Sequence, residues 1–96
     1  MGTILTFAEM VLKFEDAYCE KKCVIVTYQQ VFGTTIVVAE ELEVYDYGDK
    51  ICIFDMNDTH MTIDKTYIKE ILLSYDALSE IITFDLWESK ISFMIC

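Results

Sequence analysis

The sequence predicts an α+β domain: an N-terminal helix packed on a strongly bent antiparallel sheet, or a small barrel, of five to six strands. Three observations predict it. One amphipathic helical pattern opens the chain. Short runs rich in β-branched and aromatic residues then follow one another, with no second run of clear helical period between them. The chain has 96 residues, no proline, no low-complexity linker and no internal repeat, so the expectation is a single domain, 1–96.

The helix is announced by Thr6-Phe7-Ala8-Glu9, a capping box, with Leu5 and Met10 placed to form the hydrophobic staple. Phe7, Met10, Val11, Phe14 and Tyr18 fall on one stripe, and Lys21 and Lys22 suit the negative end of the helix dipole. The next run, 23–28, reads as a strand, with a turn around Phe32-Gly33-Thr34. A long strand is expected over about 35–47, turned by Gly48-Asp49. Another spans 50–56, and Asn57-Asp58 makes a tight turn into 60–63. Residues 64–80 admit two readings: a helical turn over about 65–70 and then a strand over 71–76, or a longer helix to about Tyr75. The last two strands are 81–87 and 90–95, with the turn at Glu88-Ser89.

Composition narrows the function classes. Seventeen acids stand against seven lysines and no arginine, a net charge of −10. A chain so acidic repels nucleic acid, which is bound by cations that displace counterions, so no direct nucleic-acid binding is expected. The partner such a charge attracts is basic: a nucleic-acid-binding protein or a nuclease. No run of eighteen apolar residues predicts a membrane helix, and the N-terminus lacks the basic and long apolar segments of a signal peptide. A cytoplasmic location with reduced cysteines is the expectation. Residues are 54% hydrophobic, slightly rich for a soluble domain, so some apolar surface is expected against a second chain.

The densest charge lies in AEELEVYDYGDK, 39–50. If this is one strand, Ile36, Val38, Leu42 and Val44 face the core and Glu41, Glu43, Tyr45, Tyr47 and Asp49 face out. Glu40 and Asp46 add charge near the ends of the core face. Two meanings are open. Charges protect a sheet edge from unwanted pairing. Alternatively, a line of carboxylates with tyrosines between them imitates a phosphate backbone and fills a cationic channel. Trp87 has the parity opposite to the core residues Ile82, Phe84 and Leu86, so it lies either under the helix or in an interface.

Other chemistry is poorly provided for. His60 is the only histidine, and no local signature marks any cysteine as a nucleophile, so no catalytic residue is assigned. Asp55-x-Asn57-x-Thr59 fails as a calcium loop, with His60 where glycine is needed and Thr66 where glutamate is needed. Cys19 and Cys23 have a zinc-compatible spacing but no second pair, and Cys23 and Cys52 read as small core residues. No cofactor or metal is expected.

Two resemblances bear on this reading. A short, single-domain, strongly acidic chain without catalytic motifs resembles the small phage-encoded anti-CRISPR inhibitors, the residues behind the likeness being Glu40, Glu41, Glu43, Asp46 and Asp49. That resemblance implies a viral protein acting in the host cytoplasm, an inhibitor that occludes a nuclease. The order helix-then-strands, with Asp55-Met56-Asn57, is similar to the Sm-like small barrel, although Glu88-Ser89 stands where that family has a basic, glycine-rich motif. The function expected is a non-enzymatic, protein-binding inhibitor using Glu40, Glu41, Glu43, Tyr45, Asp46, Tyr47, Asp49 and Trp87. The alternative is a structural module that self-assembles into a homo-oligomer.

Overall fold

The computed structural model describes residues 2–55 and 60–96. Its elements in chain order are β1 (Thr3–Ile4), α1 (Phe7–Cys19), β2 (Cys23–Gln30), β3 (Gly33–Glu40), β4 (Glu43–Asp46), β5 (Lys50–Phe54) and β6 (His60–Asp64). A single 3-10 turn, Lys65–Tyr67, leads to β7 (Glu70–Asp76), β8 (Ser79–Leu86) and β9 (Ser89–Ile95). Among the described residues the chain is one helix with a mostly antiparallel sheet, so the α+β expectation holds. The strands form two sheets, β1-β7-β8-β9-β2-β3 and β4-β5-β6, which are not closed into a barrel. Among the described residues nine strands stand where five to six were expected; the long acidic strand is divided in two and the N-terminus adds a short one.

The helix begins as its sequence dictates. Thr6 N–H donates to Glu9 Oε1 at 2.9 Å and Glu9 N–H donates to Thr6 Oγ1 at 3.1 Å, which completes the capping box. These bonds hold the Glu9 carboxyl below its ordinary value. Leu5 and Met10 are both buried, as the staple requires. The helix stops in a Schellman arrangement: Lys22 N–H donates to Ala17 O and Lys21 N–H to Tyr18 O, both at 3.0 Å. Lys21 occupies the left-handed position there, with φ 55°.

The core sits between the large sheet on one side and α1 with the small sheet on the other. Phe14 meets Phe93 edge-on at 5.2 Å between ring centroids, and Phe93 meets Phe84 at 5.4 Å. Ile82, Phe84, Ile91, Phe93 and Ile95 are buried, on the faces the alternation predicts. Lys13 pairs with Glu80 at 2.9 Å and ties the helix to β8; that bond pushes the Lys13 ammonium above its ordinary value. Residues 65–76 settle on the shorter of the two readings, a helical turn and then a strand.

The expected strand over 35–47 is the main correction. The chain breaks at Glu41, which adopts φ 52°. That single left-handed residue shifts the alternation by one. Before it, Ala39 is buried while Ile36 and Val38 are exposed, opposite to expectation; after it, Leu42 and Val44 are buried as expected. Smaller corrections follow from turn chemistry. The β2–β3 loop is Val31-Phe32, closed by the Gln30–Gly33 pair, rather than Phe32-Gly33-Thr34. β5 ends at Phe54, two residues early. The β8–β9 loop is Trp87-Glu88, closed by Leu86–Ser89, so Trp87 is a turn residue with φ 46° and not the end of a strand. Asn57-Asp58 and most of Asp55-Met56-Asn57 lie outside the described residues. Cys52 is buried, but Cys23 is exposed, since its side chain falls on the outer face of β2 opposite Glu40.

Candidate functional site

The acidic stretch runs through three kinds of structure. Glu40 ends β3, Glu41 makes the kink, Glu43 and Tyr45 share the outer face of β4, and Tyr47 and Asp49 flank the turn at Gly48. One straight line of carboxylates is therefore not formed. β4 lies against α1, with Glu43, Val44 and Tyr45 beside the C-terminal half of the helix.

Where β4 passes the helix there is an open groove of about 200 Å³, lined by Phe14, Glu15, Tyr18, Cys19, Glu43, Val44 and Tyr45. Its floor is apolar because Phe14 and Val44 are buried core residues. Its rim is acidic and phenolic. Tyr45 donates its hydroxyl to Glu43 Oε2. Tyr45 also packs against Tyr47, at 6.2 Å, and edge-on against Phe54, at 5.8 Å. Tyr18 is 40% exposed, so it ends the helix's apolar stripe as a rim residue rather than as core.

The electrostatics of the rim are one-sided. The charge of Glu43, helped by slight burial and by Glu41, pushes the Tyr18 phenol above its ordinary value. The hydrogen bond to Glu43 does the same to Tyr45. Among the described residues no lysine forms an ion pair with Glu15, Glu41 or Glu43. Asp46 differs: it accepts from Lys65 Nζ at 2.8 Å and from Gly48 N–H at 2.8 Å, and the lysine first, then the amide, hold its carboxyl below the ordinary range. Lys65 also lies over the Phe7 ring, 4.2 Å from its centroid, so this one side chain joins the β4–β5 turn to the start of α1. Asp46 is thus tied to Lys65 and to its own turn while remaining exposed.

Of the residues singled out in the sequence, Glu43 and Tyr45 line the groove, Glu41 is near enough to act on Tyr18, and Tyr47 packs on Tyr45; Glu40 and Asp49 are exposed at the end of β3 and in the β4–β5 turn. Trp87 does not join them. It is 68% exposed, uncovered by the helix, with Lys69 Nζ 5.5 Å from its ring centroid. It stands beside Gln30 and Val31, at the opposite end of β2 from Cys23 and Glu40. Sequence reasoning missed Glu15 and Tyr18 as rim residues. The signal was present: they lie on the last turns of α1, at the border of its apolar stripe.

The described residues hold no cluster of three or more histidine, cysteine or acidic side chains able to bind a metal. No helix among them is long and apolar enough to cross a membrane. Against protein-family models, curated proteins and solved structures, the chain shows no match, so its functional reading rests on its own geometry.

Proposed function

We propose that the chain is a non-enzymatic, protein-binding inhibitor whose acidic, tyrosine-rimmed groove takes a cationic surface of its partner. The observation that carries the reading is the groove between α1 and β4, with an apolar floor, two phenols and two carboxylates, and Glu41 close by, none of them paired with a lysine among the described residues. A lysine or arginine side chain fits such a place. Its stem would lie on Phe14 and Val44, and its charged end would meet Tyr18, Tyr45 and Glu43. Tyr47, packed on Tyr45, would extend the contact, and Glu40 and Asp49 would add negative charge farther along the acidic stretch.

The partner class follows from the charge. A net −10 surface favours a protein with a basic channel, of which a nuclease or other nucleic-acid-binding protein is the kind expected, and occupation of that channel would exclude the nucleic acid. This is inhibition of the anti-CRISPR type. The mimicry is local, centred on the bent rim, rather than an extended copy of a phosphate backbone.

Affinity capture from a lysate tests it. The tagged chain should retain a basic nucleic-acid-binding protein that elutes as salt rises, and a Glu41→Gln/Glu43→Gln/Asp49→Asn variant should lose it while folding normally. Retention of the same protein by the variant, with the same salt dependence, would contradict the proposal.

A further inference from the structure

A second surface, independent of the groove, is the free edge of the large sheet. Among the described residues β3 is its last strand and pairs only with β2. The other sheet edges are short or charged: β1 has two residues, β4 four with an acid at each end, and β6 five ending in Asp64. β3 has eight residues, GTTIVVAE, with no charge before Glu40. Every side chain from Gly33 to Val38 is exposed. A long, uncharged, β-branched edge lacks each device that keeps edges from pairing.

We infer that β3 pairs antiparallel with β3 of a second copy of this chain, about a two-fold axis at Val37. The register follows from hydrogen-bond parity. The Gln30–Gly33 pair closing a two-residue loop exchanges its bonds, so Gly33, Thr35, Val37 and Ala39 point their main-chain groups at β2. Thr34, Ile36, Val38 and Glu40 point theirs outward. Centring the two-fold on Val37 sets Thr34 opposite Glu40 and Ile36 opposite Val38, so each outward N–H and C=O finds a partner.

Charge and shape agree with this pairing. Glu40 faces a threonine rather than its own copy, so no carboxylate of β3 stands directly opposite its like across the seam. Phe32, 98% exposed at the hairpin tip, lies beyond the paired residues, because the register ends where Glu41 kinks the chain. Leu42 with Val37, Ala39 and Ile53 lines an apolar groove of about 150 Å³ between the two sheets. Pairing over 34–40 would cover the outward main-chain groups and bring Ile36, 65% exposed, beside Val38, 63% exposed, of the other copy on both sides of the axis.

Sedimentation equilibrium of the whole chain, from about 1 to 200 μM, tests it. The expected result is a species of twice 11.2 kDa at the upper end. Ile36→Lys, at a position 65% exposed, should keep the fold by circular dichroism and weaken the dimer at least tenfold. The double variant Ile36→Lys/Val38→Glu places lysine opposite glutamate at both pairs and should restore it. An 11.2 kDa species throughout, a dimer that Ile36→Lys leaves intact, or a double variant as weak as the single one would each overturn the inference.

Discussion

Replacing Phe93 with alanine should remove a large part of the folding free energy and loosen the groove together with the core. Phe93 is wholly buried and touches Phe14 of the helix and Phe84 of the neighbouring strand, with ring centroids 5.2 and 5.4 Å away. Truncation to alanine loses on the order of 100 Å² of apolar burial, about 2.5 kcal/mol at 25 cal/mol per Å². Each aromatic pair adds about 0.5–1.5 kcal/mol beyond area. The expected cost is therefore about 4 kcal/mol, within the range for Phe→Ala in a core. A domain of 96 residues has roughly 5–14 kcal/mol in all. Thermal unfolding should show a fall of roughly 15–30 °C in Tm. Phe93→Leu should cost much less, about 1–1.5 kcal/mol. A cycle with Phe14→Leu should reveal about 1 kcal/mol of coupling, since those two rings seat the helix on the sheet. A cost below about 1 kcal/mol for Phe93→Ala, or no coupling to Phe14, would refute the helix-on-sheet packing.

Three further predictions concern the kink and the rim. Glu41→Gly should be neutral or stabilising by up to about 1 kcal/mol, because glycine relieves a left-handed residue, whereas Glu41→Val should destabilise by about 1–2 kcal/mol; urea denaturation gives both signs. Glu43→Gln should lower the pKa of the Tyr18 and Tyr45 phenols together, since it removes a charge beside one and an ionised acceptor from the other, which ring-carbon NMR titration reads. Asp46 is held below its ordinary 3.8, so its contribution is present above that pH and is lost as the pH falls through the lowered folded value. Asp46→Asn should accordingly be less stable than the parent at pH 7 by under about 1 kcal/mol, with the difference closing on acidification; denaturation at pH 7 and pH 2 tests it.

How far the sequence revealed this fold depends on which interactions decide each part. The capping box, the stripe from Phe7 to Phe14 and the alternation in β8 and β9 are local patterns, and the structure follows them. Glu41 could not be read this way. A glutamate in a left-handed conformation carries no local signal, yet it splits one expected strand between two sheets and exchanges the exposed and buried residues of β3. Trp87 failed for the same reason: a bulky residue at positive φ in a two-residue loop runs against the usual glycine or asparagine. Glu41 and Glu43 were legible from the dense charge of 39–50, whereas Glu15, on the helix, was not. The groove was not, because it requires α1 to lie against β4, a contact between segments distant in sequence.

The most direct test of the central claim is an NMR titration of the whole chain with a short arginine- and lysine-containing peptide. Shifts should concentrate on Tyr18, Glu43, Val44 and Tyr45, weaken as salt is added, and largely vanish in Glu41→Gln/Glu43→Gln. Shifts spread evenly over all acidic residues, or unchanged in that variant, would contradict the account and leave the acidic stretch as protection for a sheet edge.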